Sequence, residues 1–318
     1  MLHHWAKRLD PARFRVTVLA MGRGGLSDKF EANYPVYYDD TGYPGIAGFI
    51  ERLKPDIVHC APGGGMDMPY ITKAAALAPT TQTVMCPREV GNYDDVVASV
   101  VISRFVLALQ SRRENIFQID PPFDASDYSI RYGKEHFGLP AGRLIIGSLG
   151  NSRKENSHFF NIAKRYGRKD VHFVIKSDKR PGSFFGPKNL TSINRLLSED
   201  EKMSLISCLD IFLYPTSNEA YGVVFLEAMS QKVPIITYDD SANKEAIGDG
   251  GLLAPLNDIH GMTDLLDKLV ADRGLRERLG QQGYELFRER NDPEKIADKY
   301  EEFFEFCLKR HYGGARKA

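Results

Sequence analysis

The sequence predicts an α/β protein built on parallel sheets, and three observations predict it. Short runs rich in β-branched and aromatic residues recur along the chain, several of these runs are apolar almost throughout, and stretches of helical period separate most of them. A strand that is apolar on both faces must be covered on both faces, as it is in a parallel sheet sandwiched between helices.

Taken in order, the strand runs are residues 14–20, 56–60, 81–86, 96–102, 144–149, 171–176, 211–214 and 233–238. Helical period is clear in 199–208, in 223–231 and in a long C-terminal series over 259–310. Between Asp120 and Arg143 a polar stretch is crowded by Pro121, Pro122, Gly133, Gly138, Pro140 and Gly142, and the strand–helix alternation then starts afresh. A chain of 318 residues has room for two ordinary domains. The expected domains are 1–130 and 131–318, both Rossmann-like and doubly wound and facing each other across a cleft, with the final helix packing back on the first. Ligands should bind at the carboxyl ends of the strands.

Composition narrows the function. Lys plus Arg equals Asp plus Glu at 42 each, so no bulk field favours a nucleic-acid partner. Cys60, Cys86, Cys208 and Cys307 form none of the short pairs of zinc or redox sites and read as buried thiols in a reducing cytosol. MLHHWAKRLD has no apolar core of signal-peptide length, and Ser103 and Arg104 interrupt the most apolar later stretch, so neither secretion nor a membrane span is expected. The expected location is cytoplasmic. The basic end, with Lys309, Arg310, Arg316 and Lys317, leaves open a peripheral contact at the inner face of a membrane.

The stretch that carries chemistry is DIFLYPTSNEAYGVVFLEAMSQKVPIITYDD, residues 210–240. A buried strand runs into the polar loop 215–221, and Gly222 lets the chain turn into a helix that begins near Val223. The start of such a helix offers free N–H groups and positive dipole character to a phosphate. Glu219 precedes it and Glu227 lies one turn inside, so the two carboxylates can reach different hydroxyl-bearing parts of one ligand. Read without further context, the pair is a solvated helical residue and a charge complementing the dipole.

In Glu219, Ala220, Tyr221, Gly222, Leu226, Glu227, Ala228, Met229 and Pro234 this stretch resembles the E-x7-E signature of retaining GT-B glycosyltransferases of family 4. The resemblance extends over nearly the whole chain. LIIGSLGNSRK, residues 144–154, looks like the strand and loop that open the family's C-terminal domain, where an Arg and a Lys grip a diphosphate. Lys154 falls on the Lys position, Asn151 stands after Gly150 where the Arg is usual, and Arg153 is the candidate to replace it. KEAIGDGGLLAPLND puts Glu245 on a recurrent Glu, with Ser241 and Asn243 where glycines are usual. LKPDIVHCAPGGG makes His59 a candidate acceptor-side group, although a His at a strand end also serves as a packing residue. The family's other histidine is absent, and Met85, Cys86, Arg88 and Glu89 occupy its loop. Residues 1–9 look like the helix that follows the family's first strand, so the N-terminal domain is expected without that strand. MGRGG, residues 21–25, then follows a second strand and is not the diphosphate loop.

The resemblance implies transfer of a hexosyl group, with retention, from a UDP or GDP sugar to a hydroxyl acceptor such as a growing glycan or glycolipid, in polysaccharide biosynthesis. It assigns Glu219 to the donor sugar and Glu227 to the ribose. Lys154, Arg153, Asn151, Gly150 and the N–H groups at Tyr221, Gly222 and Val223 go to the diphosphate. No cofactor and no metal are expected, because cationic side chains and a helix end can take the part of a divalent ion. Two other readings stay open. One is a glycosidase using the same carboxylates about 5–9.5 Å apart; the other is a GT-B scaffold that binds a nucleotide with little or no turnover.

Overall fold

The computed structural model describes residues 2–20, 22–25, 27–39, 45–62, 68–91, 93–150, 157–177 and 187–313. The chain divides into two compact units, the first made of 1–123 with 291–318 and the second of 124–290.

The first unit runs α1 (Leu2–Ala6), β1 (Val18–Ala20), α2 (Ser27–Glu31), β2 (Val36–Tyr38), α3 (Ile46–Leu53), β3 (Val58–Cys60), α4 (Met68–Ala75), β4 (Thr80–Val84), β5 (Ala98–Val101), α5 (Arg104–Ala108) and β6 (Ile116–Gln118). All strand pairs are parallel. Among the described residues β1 and β2 make one two-stranded sheet, and β3, β4, β5 and β6 make a separate four-stranded one in that order. Leu19 of β1 and Val58 of β3 nevertheless pack against one apolar cluster with Ile46 and Ile50 of α3 and Ala74 of α4.

The second unit contains β7 (Leu144–Leu149), α6 (Ser157–Arg165), β8 (Val171–Lys176), β9 (Leu190–Ile193), α7 (Glu199–Ser207), β10 (Ile211–Tyr214), α8 (Val223–Ser230), β11 (Ile235–Tyr238), α9 (Asn243–Ile247), β12 (Gly251–Ala254), α10 (Ile259–Ala271) and α11 (Arg273–Arg290). Among the described residues its six parallel strands lie in the order β12, β11, β10, β7, β8, β9. Counted within the unit, that is sixth, fifth, fourth, first, second, third, a doubly wound sheet whose direction of winding reverses between β7 and β10. The central strands β10 and β11 are buried at every residue, as a sheet covered on both faces requires. Met262, Leu266 and Leu269 of α10, Phe159 and Ile162 of α6 and Leu275 and Leu279 of α11 join one core with these strands.

The last helix, α12 (Pro293–Tyr312), belongs to the first unit. Asp292 caps it, accepting the Glu294 N–H at 3.0 Å, and Pro293 suits its first turn. Its Tyr300, Phe303 and Phe304 pack with Trp5 and Leu9 over Ala98 and Val100 of β5. Trp5 stacks on Tyr300 with ring centroids 4.1 Å apart. The apolar residues at 259–310 therefore serve two cores: the series breaks at Asp272 and again at Asn291–Asp292, where the chain leaves one unit for the other.

Candidate functional site

The carboxyl ends of β7 and β10 lie side by side at the winding reversal of the second unit, and the signature residues gather there. β7 ends at Leu149 and leads to Gly150, whose N–H donates to Lys176 O at 3.4 Å. β10 ends at Tyr214 and leads through the loop 215–221 into α8. Asn151, Arg153 and Lys154 lie outside the described residues.

Gly222 makes the turn into α8 in a left-handed conformation, φ +82°, and a Cβ there would meet the Phe225 ring at 2.6 Å. No other residue type fits without displacing that ring. The turn presents the N–H groups of the first turn of α8, beginning at Val223, with Tyr221 buried immediately before it.

Glu219 is buried, and its Oε1 accepts from the Thr216 hydroxyl at 3.1 Å. Its main-chain N–H donates to Ser241 Oγ at 2.8 Å, and the neighbouring Asn218 N–H donates to Asp240 Oδ2 at 2.7 Å. Asn243 is fully buried and donates to Thr216 O at 3.0 Å and to Tyr238 O at 3.0 Å, tying the loop after β10 to the end of β11. Ser241 and Asn243, which stand where the resemblance has glycines, thus brace the Glu219 loop. Glu245 sits in the first turn of α9, and Arg290 Nη1 donates to its carbonyl at 3.0 Å.

Glu227 is also buried, on the α8 face turned to α7, and its Oε1 accepts from Lys202 Nζ at 2.7 Å. The same ammonium lies 2.7 Å from Glu199 Oε2. Burial pushes the Glu227 carboxyl above its ordinary range, and Lys202 pulls it back. Burial acts against the Lys202 charge as well, but the Glu227 and Glu199 carboxylates hold its pKa above the ordinary value. Tyr128 lies in the same field: its phenol is raised first by burial and then by Glu199 and Glu227. Nothing in the signature names Lys202. The signal for it was a lysine three and four residues before the buried Leu205 and Ile206, and so on the apolar face of a helix.

His59 lies in the first unit, at the middle of β3. Nδ1 lies 2.9 Å from Thr81 Oγ1 and Nε2 2.9 Å from Thr83 Oγ1, and the ring is edged by Trp5, Tyr300 and Phe304. Burial pushes its pKa down to about 3, so it is a neutral imidazole with both nitrogens engaged. The glycines Gly22, Gly24 and Gly25 have open space where a Cβ would sit and hold no close backbone approach. A depression of about 520 Å³ lined by Arg143, Lys164, Lys169 and Lys188 lies at the amino ends of β7, β8 and β9, the opposite end of the sheet from the two glutamates.

The fold is of the GT-B class. A glycosyltransferase from Rickettsia africae ESF-5 superposes with a TM-score of 0.77 at 14% identity, covering 96% of this chain and 93% of that one. Anabaena Alr3699/HepE, solved in complex with UDP-glucose, gives 0.76 at 13% identity over 96% and 94%. Residues 186–286 match the model of the glycosyl transferases group 1. An O-antigen biosynthesis glycosyltransferase, WclY of Escherichia coli, is 25% identical over 221 residues, 66% of this chain and 60% of the relative. Against curated relatives of this kind the chain spans between 30% and 60% of their length. Among the described residues no helix is long and apolar enough to cross a membrane.

Proposed function

We propose that this chain transfers a hexosyl group, with retention, from a nucleoside-diphosphate sugar to a hydroxyl of a glycan or lipid-linked acceptor. The observation that carries the reading is the placement of Glu219 and Glu227 on either side of the left-handed Gly222, at the carboxyl end of β10, inside the segment that matches the family. In this reading Glu227 accepts from the ribose hydroxyls and Glu219 from hydroxyls of the donor sugar. As the glycosidic bond breaks, negative charge grows on the diphosphate. Gly150, Asn151, Arg153, Lys154 and the N–H groups from Tyr221 to Val223 form the set proposed to receive it, since donors aimed at developing charge lower the barrier most. This set needs no divalent ion. His59 takes no part, because both of its nitrogens already serve Thr81 and Thr83.

A UDP sugar is the first donor to test, supported by the UDP-glucose in the Anabaena neighbour. The experiment is a panel of UDP and GDP sugars, followed for release of UDP or GDP and for the anomeric configuration of the product, with and without EDTA. Turnover in EDTA with an α-linked product from an α-linked donor supports the reading, and inversion or strict dependence on Mg²⁺ or Mn²⁺ sinks it. Tight nucleotide binding without turnover favours the scaffold instead.

A further inference from the structure

The loop that follows β4 carries a guanidinium, Arg88, with two buried nitrogens left without an acceptor among the described residues. Nε and Nη2 of Arg88 are both cut off from solvent, and neither has a hydrogen-bond partner among the described residues. No ion pair to this guanidinium forms among the described residues. Arginine stays protonated at any working pH, and N–H groups cut off from water without an acceptor are costly, so packing alone does not account for these two. The two orphaned nitrogens belong to one edge of the guanidinium, the side that meets two oxygens of a carboxylate or phosphate at once.

The surrounding backbone is fixed rather than loose. Gln110, buried, donates from Nε2 to Arg88 O at 3.1 Å and accepts the Val90 N–H on Oε1 at 2.7 Å. Gln82, fully buried on β4, donates to Gly91 O at 2.6 Å. The adjacent carboxylate is turned elsewhere: Glu89 Oε1 accepts the Ser111 N–H at 2.9 Å. The position is the carboxyl end of a parallel strand, where open α/β sheets take their ligands.

We propose that Arg88 anchors an anion site in the first unit, binding a phosphate or carboxylate group of a small molecule through its Nε–Nη2 edge. If the chain transfers sugar as proposed above, that anion is a charged group of the acceptor; this attribution rests on the proposed function, while anion binding itself does not.

The test uses the full chain with ¹⁵N-labelled arginine, Arg88→Lys to assign the Arg88 Nε–H resonance, and Arg88→Gln for stability. Inorganic phosphate and acetate are titrated separately at constant ionic strength. A saturable shift of the Arg88 resonance alone is expected, with the stronger of the two anions giving the class of the ligand group. No saturation up to about 50 mM of either, well past the millimolar affinity a single bidentate pair supplies, overturns the site, as does an equal drift of all arginines. Arg88→Gln should melt at or above the wild-type temperature in anion-free buffer, because it removes the buried N–H groups that lack an acceptor, and phosphate or acetate should raise the wild-type value only. A clear drop in melting temperature for Arg88→Gln would assign Arg88 a structural role instead. Neither readout involves turnover, so failure of the anion site and failure of the transfer reading are told apart.

Discussion

Lys202 Nζ lies 2.7 Å from the buried Glu227 Oε1, so the carboxylate proposed to meet the ribose is already held by a cation from the neighbouring helix α7. Burial raises Glu227 above the ordinary carboxyl value of 4.5, and Lys202 draws it down. The folded chain therefore binds this proton more tightly than the unfolded chain does. The contribution of this group to stability falls as pH rises from 4.5 to the raised value, and acid restores it.

Removing the lysine should move that balance in a known direction. In Lys202→Met, Glu227 titrates at a higher pH, so the loss of UDP affinity on acidification should have its midpoint at higher pH than in the wild type. Lys202→Arg should return it. Leaving the buried carboxylate unpaired should also cost about 1.5–3 kcal/mol at neutral pH, roughly 3–12 °C in melting temperature for a unit of this size. Calorimetry over about pH 5 to 8 is the check; an unchanged midpoint would show that Lys202 does not control Glu227.

The two glutamates should separate by ligand. Glu227→Ala should weaken UDP or GDP binding by about 10- to 150-fold, the loss of one charge-assisted hydrogen bond. Glu219→Ala should leave the free nucleotide bound and reduce sugar-donor binding or turnover by a similar factor. Equal effects of both substitutions on free nucleotide would refute the division of roles.

Gly222→Ala tests the turn itself. A left-handed backbone costs a residue bearing Cβ roughly 1–2 kcal/mol, and the fully buried Phe225 must also move away from the new methyl group. Denaturant midpoint and nucleotide affinity should fall together, because the same shift tilts the first turn of α8. A variant with wild-type values for both would mean that the turn tolerates a side chain and that its shape is not the reason for the glycine.

Central elements were legible in the sequence because burial on both faces writes a continuous apolar run. β7, β8 and β10 occupy the expected 144–149, 171–176 and 211–214. The strands that escaped notice, β2, β6, β9 and β12, all lie at sheet edges, where one side meets solvent and most residues are only partly buried. The site divides in the same way. Glu219, Gly222 and Glu227 sit within nine consecutive residues and could be read as a pattern. Their braces, Lys202, Ser241 and Asn243, come from the preceding helix, the loop after β11 and the start of α9, and only the fold brings them to the glutamates.

The start of α7 gives a last test, because it carries Lys202. Ser198 Oγ accepts the Glu201 N–H at 3.2 Å, and Glu201 Oε2 accepts the Ser198 N–H at 3.0 Å, a reciprocal cap. Glu201 Oε1 also meets Arg195 Nη2 at 2.6 Å and His136 Nε2 at 3.0 Å. Arg195 first, then His136 and Ser198, hold the Glu201 carboxyl well below its ordinary range. A depressed carboxyl contributes stability above the unfolded value of 4.5 and loses it as pH falls through 4.5 toward the folded value. Arg195 is half-exposed, so solvent screens its pair and reduces what that pair adds to stability. Glu201→Gln keeps an oxygen that can accept the Ser198 N–H but removes the charge that faces Arg195, and should cost about 0.5–1 kcal/mol at neutral pH. That difference should close as the wild-type carboxylate takes up its proton. Lys202, one residue further on, should lose part of its fixed position, so UDP affinity should fall by less than in Lys202→Met. Denaturant titrations at neutral pH and at about pH 3 make the comparison. A difference that persists undiminished in acid would mean that shape, rather than the charge of Glu201, holds the start of the helix.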